Sequence, residues 1–225
     1  MKKLKGLQAA LWALALVSCA TAPKASPSAE GPDFSVLPPG ARVYLWADVK
    51  EGRQLLEAIS LEGLDGRDAA RILERTGTAV AAFYPEEAAR RFFLAGWGSY
   101  PSLRAGISMA FSRDWKKVKS ETGSRYWFSK SRRIGVALGS KLAFAADGDP
   151  FAPGSGSQSG TAPEGFEDFR RLCVLAGWMP EPKDPLNRFL TAAQIPLQIP
   201  AEDFSFGVRG VADGKWELVF RVHTP

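Results

Sequence analysis

The residues able to carry a covalent or metal-bound step are few. The chain has one histidine, His223, and two cysteines, Cys19 and Cys173. Ser-His-Asp or Cys-His catalysis needs an imidazole to move the proton, so it would rest on His223, in a segment that reads as an edge strand. No nucleophile elbow of the form G-x-S-x-G occurs in the sequence. A zinc site takes three or four His, Cys or carboxylate ligands. One histidine and Cys173, set in the apolar run Leu172-Cys173-Val174-Leu175, do not approach that, and Cys173 reads as a small buried hydrophobe. Gly135-Val136-Ala137-Leu138-Gly139-Ser140-Lys141 shares the outline of a phosphate loop, but it is one residue short between the glycines and has Ser before Lys. It is a hairpin turn. Asp147-Gly148-Asp149-Pro150 offers two carboxylates, yet the interleaved Gly and Pro make a turn of it. The alternative of a carboxylate-dependent envelope hydrolase or transferase needs two acids converging about 5–10 Å apart. The acidic residues fall mostly in turns and on helix surfaces. The reading is no catalytic residue, no metal and no cofactor.

Cys19 has a different setting. It follows a positive start, Met1-Lys2-Lys3-Leu4-Lys5, and an apolar stretch from Leu7 to Val17. A membrane-crossing helix needs about 20 apolar residues, so this stretch is a cleaved address rather than a span. The order Leu16-Val17-Ser18-Cys19 resembles the signal sequence of bacterial lipoproteins. The resemblance implies a diacylglycerol on the Cys19 thiol, cleavage by signal peptidase II just before it, and acylation of the freed amine. Two or three acyl chains anchor stably where one is marginal. Ala20 stands where an Asp would resemble an inner-membrane retention signal, so the resemblance implies an outer-membrane location facing the periplasm in a host with two membranes. An ordinary secretory signal cut at Ala20-Thr21-Ala22, discarding Cys19, is the alternative. With Cys19 lipidated, Cys173 stands alone and no internal disulfide forms.

The net charge of +5 comes from 29 basic and 24 acidic residues. Without Lys2, Lys3 and Lys5 the balance is 26 to 24, which gives a nucleic-acid partner no support. One segment departs from that balance. Between Arg113 and Arg133 stand Arg113, Lys116, Lys117, Lys119, Arg125, Lys130, Arg132 and Arg133 against Asp114 and Glu121, interleaved with Trp115, Tyr126, Trp127 and Phe128. Basic residues among aromatics suit an anionic lipid surface or an acidic glycan. That reading expects Lys116, Lys117, Lys119, Arg132 and Arg133 to share one exposed face, with Trp115 or Trp127 partly exposed among them. The competing reading is an edge hairpin whose lysines block strand-to-strand aggregation.

These residues need elements to hold them. Residues 1–18 are the signal and 19–36 an acylated cysteine with a disordered tether rich in Ala, Pro and Ser; 37–225 form a single α+β domain. Val43–Ala47 reads as a strand, and Leu55, Leu56 and Ile59 fall at helical spacing. A second helix is bracketed by Asp65 and Gly77, followed by strands over 78–84 and 92–97. Leu103, Ile107 and Phe111 recur every four residues behind Pro101, a helix signature. Strands and turns alternate from Trp115 to Ala146, with turns at 121–124 and 139–141, and 152–163 is a flexible loop. Leu172–Trp178 reads as a strand, Asp184-Pro185 opens a helix, and a hairpin over 204–222 turns at Asp213-Gly214.

The expectation is an antiparallel-rich sheet with three to four helices. Arg90-Arg91…Leu94-Ala95-Gly96-Trp97 is echoed by Arg170-Arg171…Leu175-Ala176-Gly177-Trp178, which suggests two related β-α-β-β halves. The run from Leu37-Pro38-Pro39 through Tyr44 to Asp48 resembles the opening of a family of uncharacterised bacterial envelope proteins. The functional expectation is a membrane-anchored lipoprotein with a non-enzymatic binding or structural domain. Its partners are the membrane, through its N-terminal acyl chains, and an anionic lipid, a glycan or another envelope protein.

Overall fold

The computed structural model describes residues 34–58, 72–85, 88, 90–152, 162–182, 202–211 and 215–223. Ten strands form one sheet: β1 (Val43–Asp48), β2 (Thr76–Phe83), β3 (Phe92–Gly98), β4 (Trp115–Lys119), β5 (Arg125–Ser129), β6 (Ile134–Leu138), β7 (Leu142–Ala146), β8 (Leu175–Met179), β9 (Asp203–Gly210) and β10 (Trp216–His223). Their order is β10-β9-β8-β1-β2-β3-β7-β6-β5-β4, and every neighbouring pair is antiparallel. Helices α1 (Arg53–Ala58), α2 (Ser102–Phe111) and α3 (Phe166–Arg171) join them, and residues 72–75 are helical and run straight into β2.

Successive side chains alternate between the faces of a strand, and here both faces of the central strands are covered. Phe92, Leu94, Ile134, Val136, Ala143 and Ala145 pack with Ala105 and Met109 of α2; this is the α2 face. Phe93, Ala95, Tyr44, Trp46 and Trp178 pack with Phe166 of α3 on the other side; this is the α3 face. Two-sided burial is why 92–97 is an unbroken apolar run rather than an alternating one. Trp178 anchors the α3 face. It stacks on Tyr44 at 4.7 Å between centroids and meets Phe34 and Phe166 edge-on at 4.7 and 4.6 Å. Phe34 belongs to a 3-10 turn, Phe34–Val36. Phe34, ahead of Leu37, therefore already packs in a buried aromatic site.

Other expectations shift for identifiable reasons. Gly77 is a residue of β2 rather than a helix cap. The expected strand over 172–178 starts only at Leu175, because Leu172 and Cys173 turn out of α3, their N–H groups donating to the Phe169 and Arg170 carbonyls. The echoed segments are β3 and β8, which flank the β1–β2 hairpin on opposite sides. Their connections differ: β8 pairs directly with its successor β9, while β3 pairs with β7 and its successor β4 lies at the far edge. The halves do not repeat one connectivity. Local packing accounts for the echo instead. A β-carbon at Gly177 would come within 2.5 Å of Leu45 Cδ2, and one at Gly96 within 2.7 Å of Tyr100 Oη. Each glycine leaves room on the α2 face for a neighbouring side chain while the adjacent tryptophan turns to the α3 face. The helix expected from Asp184 and the Asp213-Gly214 turn lie outside the described residues, as do Met1 to Asp33 and most of the 152–163 loop.

Candidate functional site

Helix α2 is ten residues long, SLRAGISMAF, with Arg104 as its one charged residue. Ser112 ends it by turning extended, its N–H donating to the Met109 carbonyl. At 100° per residue, Ala105 and Met109 fall on one side and Leu103, Ile107 and Phe111 on the other. The first side is the packed one: Ala105 is 3% and Met109 1% exposed. The second faces out, with Leu103 77%, Ile107 51% and Phe111 87% exposed. A surface helix of a globular protein turns its polar side to water; this helix turns three large apolar side chains there. The packed side uses small residues to sit close to the sheet. A β-carbon at Gly106 would lie 3.9 Å from Trp127 Cζ2, so Trp127 lies beside α2.

The basic hairpin is β4–β5, at the sheet edge next to α2. Strand alternation divides its lysines. Trp115 is buried in the α2-face cluster, so Lys117 and Lys119 project from that face, with Trp127 and Arg125 opposite them in register. Lys116 projects from the α3 face, opposite Phe128. The ring contacts agree: Lys117 Nζ lies 5.8 Å from the Trp127 centroid and Lys116 Nζ 5.4 Å from that of Phe128. Trp127 is partly exposed and Trp115 buried. Arg132 and Arg133 belong to the β5–β6 turn, where Arg133 adopts a left-handed φ of 58°. Asp114 fixes that turn by accepting from Ser129 Oγ at 2.5 Å and from the Ser131 N–H at 2.8 Å. The five basic residues are therefore not on one face. The structure brings together Lys117, Lys119, Arg125 and Trp127 beside the exposed stripe of α2, and it separates Lys116 from them.

The remaining candidates have structural roles. Cys173 is buried and its thiol is pushed up by that burial, against the pull of Arg209. His223 stands in β10 opposite Asp203 in register. Asp149 accepts from Phe151 and Asp48 from Lys50 and Glu51, each capping its own turn, while Asp147 accepts from the Arg91 and Phe92 N–H groups at the start of β3. Among the described residues no group of three or more His, Cys, Asp or Glu is placed to hold a metal ion. Cys19 and its preceding Leu16, Val17 and Ser18 lie outside the described residues. Sequence reasoning identified α2 but not which way its apolar stripe points, and it did not register the exposed Leu218 (66%) and Phe220 (61%) of β10.

Residues 30–143 match the model of a family described as outer membrane-associated lipoprotein TP0453. The curated outer membrane protein TP0453 of Treponema pallidum (strain Nichols) is 28% identical over 103 residues, 46% of this chain and 35% of that protein. The match therefore spans about a third of the relative's length. Solved structures of TP0453 share the fold. Crystal form III superposes with a TM-score of 0.58 at 20% identity, covering 86% of this chain and 79% of that one; form IV gives 0.59 at 20%, covering 85% and 79%.

Proposed function

The chain belongs to the family of outer membrane-associated lipoprotein TP0453, which makes it a membrane-associated lipoprotein of the cell envelope, and from that premise we propose that α2 is its second membrane contact. The first is the acylated Cys19, after signal peptidase II cleavage following Ser18. The observation carrying the reading is the outward stripe of Leu103, Ile107 and Phe111. Such a stripe settles into the boundary between headgroups and acyl chains, and burying each side chain there contributes about 1.5–3 kcal/mol. Lys117 and Lys119 stand at the phosphate level beside it, each adding about 1 kcal/mol on an anionic surface. Trp127, apolar with one N–H donor, suits the same interface. Asp48 and Asp149 cap turns, Asp147 holds the Arg91 and Phe92 N–H groups, and Glu57, Glu167 and Glu217 pair with arginines, which supports a binding or structural role.

The experiment is vesicle flotation of residues 20–225, the mature chain without its signal and without Cys19, so that neither an acyl chain nor the apolar signal stretch contributes. The protein should float with vesicles containing anionic lipid and should be partly released as salt rises, since the Debye length falls from about 30 Å at 0.01 M to about 8 Å at 0.15 M. Residual binding at high salt should track the apolar stripe. Failure to float at low salt would refute the reading.

A further inference from the structure

The two edges of the sheet are built differently. At the β4 edge, three of five residues are lysines, Lys116, Lys117 and Lys119, which is how an edge is kept from pairing with another chain. At the other edge β10 runs for eight residues, WELVFRVH, with neither lysine nor proline. It pairs with β9 along its whole length from Trp216↔Gly210 to His223↔Asp203. Leu218, Phe220 and Val222 are 66%, 61% and 38% exposed on it. Phe220 stacks on Phe204, which stacks in turn on Phe206.

We infer that β10 is a self-pairing edge: two copies of the chain join antiparallel along it about a two-fold axis through Val219, making one continuous sheet. Residues directly opposite across an antiparallel pair share a face, so the residue numbers of each opposed pair must sum to an even value. Centring on Val219 places Glu217 opposite Arg221 of the second copy and Leu218 opposite its Phe220. Trp216 then faces its Val222. Opposite charges meet on the α3 face and apolar side chains meet on the α2 face. Glu217 binds Arg209 at 2.7 Å across β9–β10 and Arg221 donates to the Glu164 and Gly165 carbonyls, so the two charges that meet each keep a partner in their own chain and the second copy's Arg221 adds to the Glu217–Arg209 pair. Centring on Leu218 or Phe220 instead leaves Glu217 facing a valine or a histidine, and the charge match is lost. A C2 contact of this kind uses one patch on both partners and closes on itself.

The test is site-specific disulfide formation in residues 20–225 carrying Cys173→Ala, which lack the signal and Cys19, purified without lipid and oxidised with copper phenanthroline. Val219→Cys lies on the axis, its β-carbons about 4.5–5.5 Å apart, and should cross-link with itself to most of the dimer population. Glu217→Cys is four residues from its own copy, about 14 Å, and should not. Mixing Glu217→Cys with Arg221→Cys should restore cross-linking, now only between the two variants. Sedimentation velocity of the same chain should show a concentration-dependent dimer that Leu218→Lys with Phe220→Lys reduces at least tenfold. A monomer at every concentration would overturn the pairing, as would equal cross-linking at residues 217 and 219. Absence of a cross-link at Val219 would overturn it too.

Discussion

Met109 and Phe111, two residues apart on α2, have opposite surroundings: Met109 is 1% exposed against the sheet and Phe111 is 87% exposed. One helix thus carries two apolar faces, and only one of them has a partner in the fold. The two faces should separate cleanly under mutation. Met109→Ala empties a filled site in the cluster of Leu94, Trp115 and Val136 and should cost about 2–5 kcal/mol of stability, with vesicle binding preserved below the melting transition. Ser at Leu103, Ile107 and Phe111 together should leave stability within about 1 kcal/mol, since exposed positions contribute little, and should abolish most flotation. Unfolding in urea and flotation measured side by side decide this. A triple variant that unfolds early would place those side chains in the core instead.

The division of the lysines gives a second prediction. Lys117→Gln and Lys119→Gln should each weaken binding to anionic vesicles about fivefold, equivalent to about 1 kcal/mol, and the loss should shrink as salt rises. Lys116→Gln, on the α3 face opposite Phe128, should bind like the parent chain. Three equal losses would mean that the hairpin meets the membrane edge-on rather than by its α2 face.

The anchor itself is testable at one atom. Cys19→Ala should abolish incorporation of labelled fatty acid and leave an unprocessed precursor. Mass spectrometry of the mature protein should find an acylated Cys19 at its N-terminus. An unmodified Ala or Thr there would contradict lipidation and favour ordinary secretion.

A buried phenol predicts alkaline behaviour. Burial pushes the Tyr100 hydroxyl up to about 12, against its hydrogen bond with Thr76. In the unfolded chain a tyrosine ionises near 10. The folded value is raised, so this contribution is fully present below about pH 10 and is lost as pH climbs to about 12, at about 1.4 kcal/mol per unit. Tyr100→Phe lacks the ionisation, so its stability should fall less between pH 9 and pH 11.5 in denaturant titrations. Parallel losses in the two proteins would show that Tyr100 ionises freely.

Local patterns carried much of this architecture, and pairings between distant segments carried the rest. Val43–Asp48 and Phe92–Gly98 are legible as strands because aromatic and other apolar residues cluster there. The seat of β8 beside β1 is not legible, because nothing local in Leu175–Met179 names Tyr44–Ala47 as its partner. The repeat of Ala-Gly-Trp suggested ancestry, whereas in the fold Gly96 and Gly177 each clear space for a different neighbour. The basic segment was visible as composition, but its face assignment needed the register Lys117↔Trp127. Spacing alone made α2 a helix. Its orientation followed from Ala105 and Gly106, whose small size lets that side approach the sheet and turns the bulkier stripe outward.

The central claim is that this stripe enters the membrane, and an environment-sensitive label read position by position tests it most directly. Single cysteines at residues 102, 103, 107, 108 and 111, in residues 20–225 carrying Cys173→Ala, would each carry an NBD fluorophore. On addition of vesicles containing anionic lipid, emission should shift to the blue and brighten at 103, 107 and 111, with residues 102 and 108, each 100° or more from the centre of the stripe, changing far less. A uniform response at all five positions, or none at 103, 107 and 111, would contradict the account.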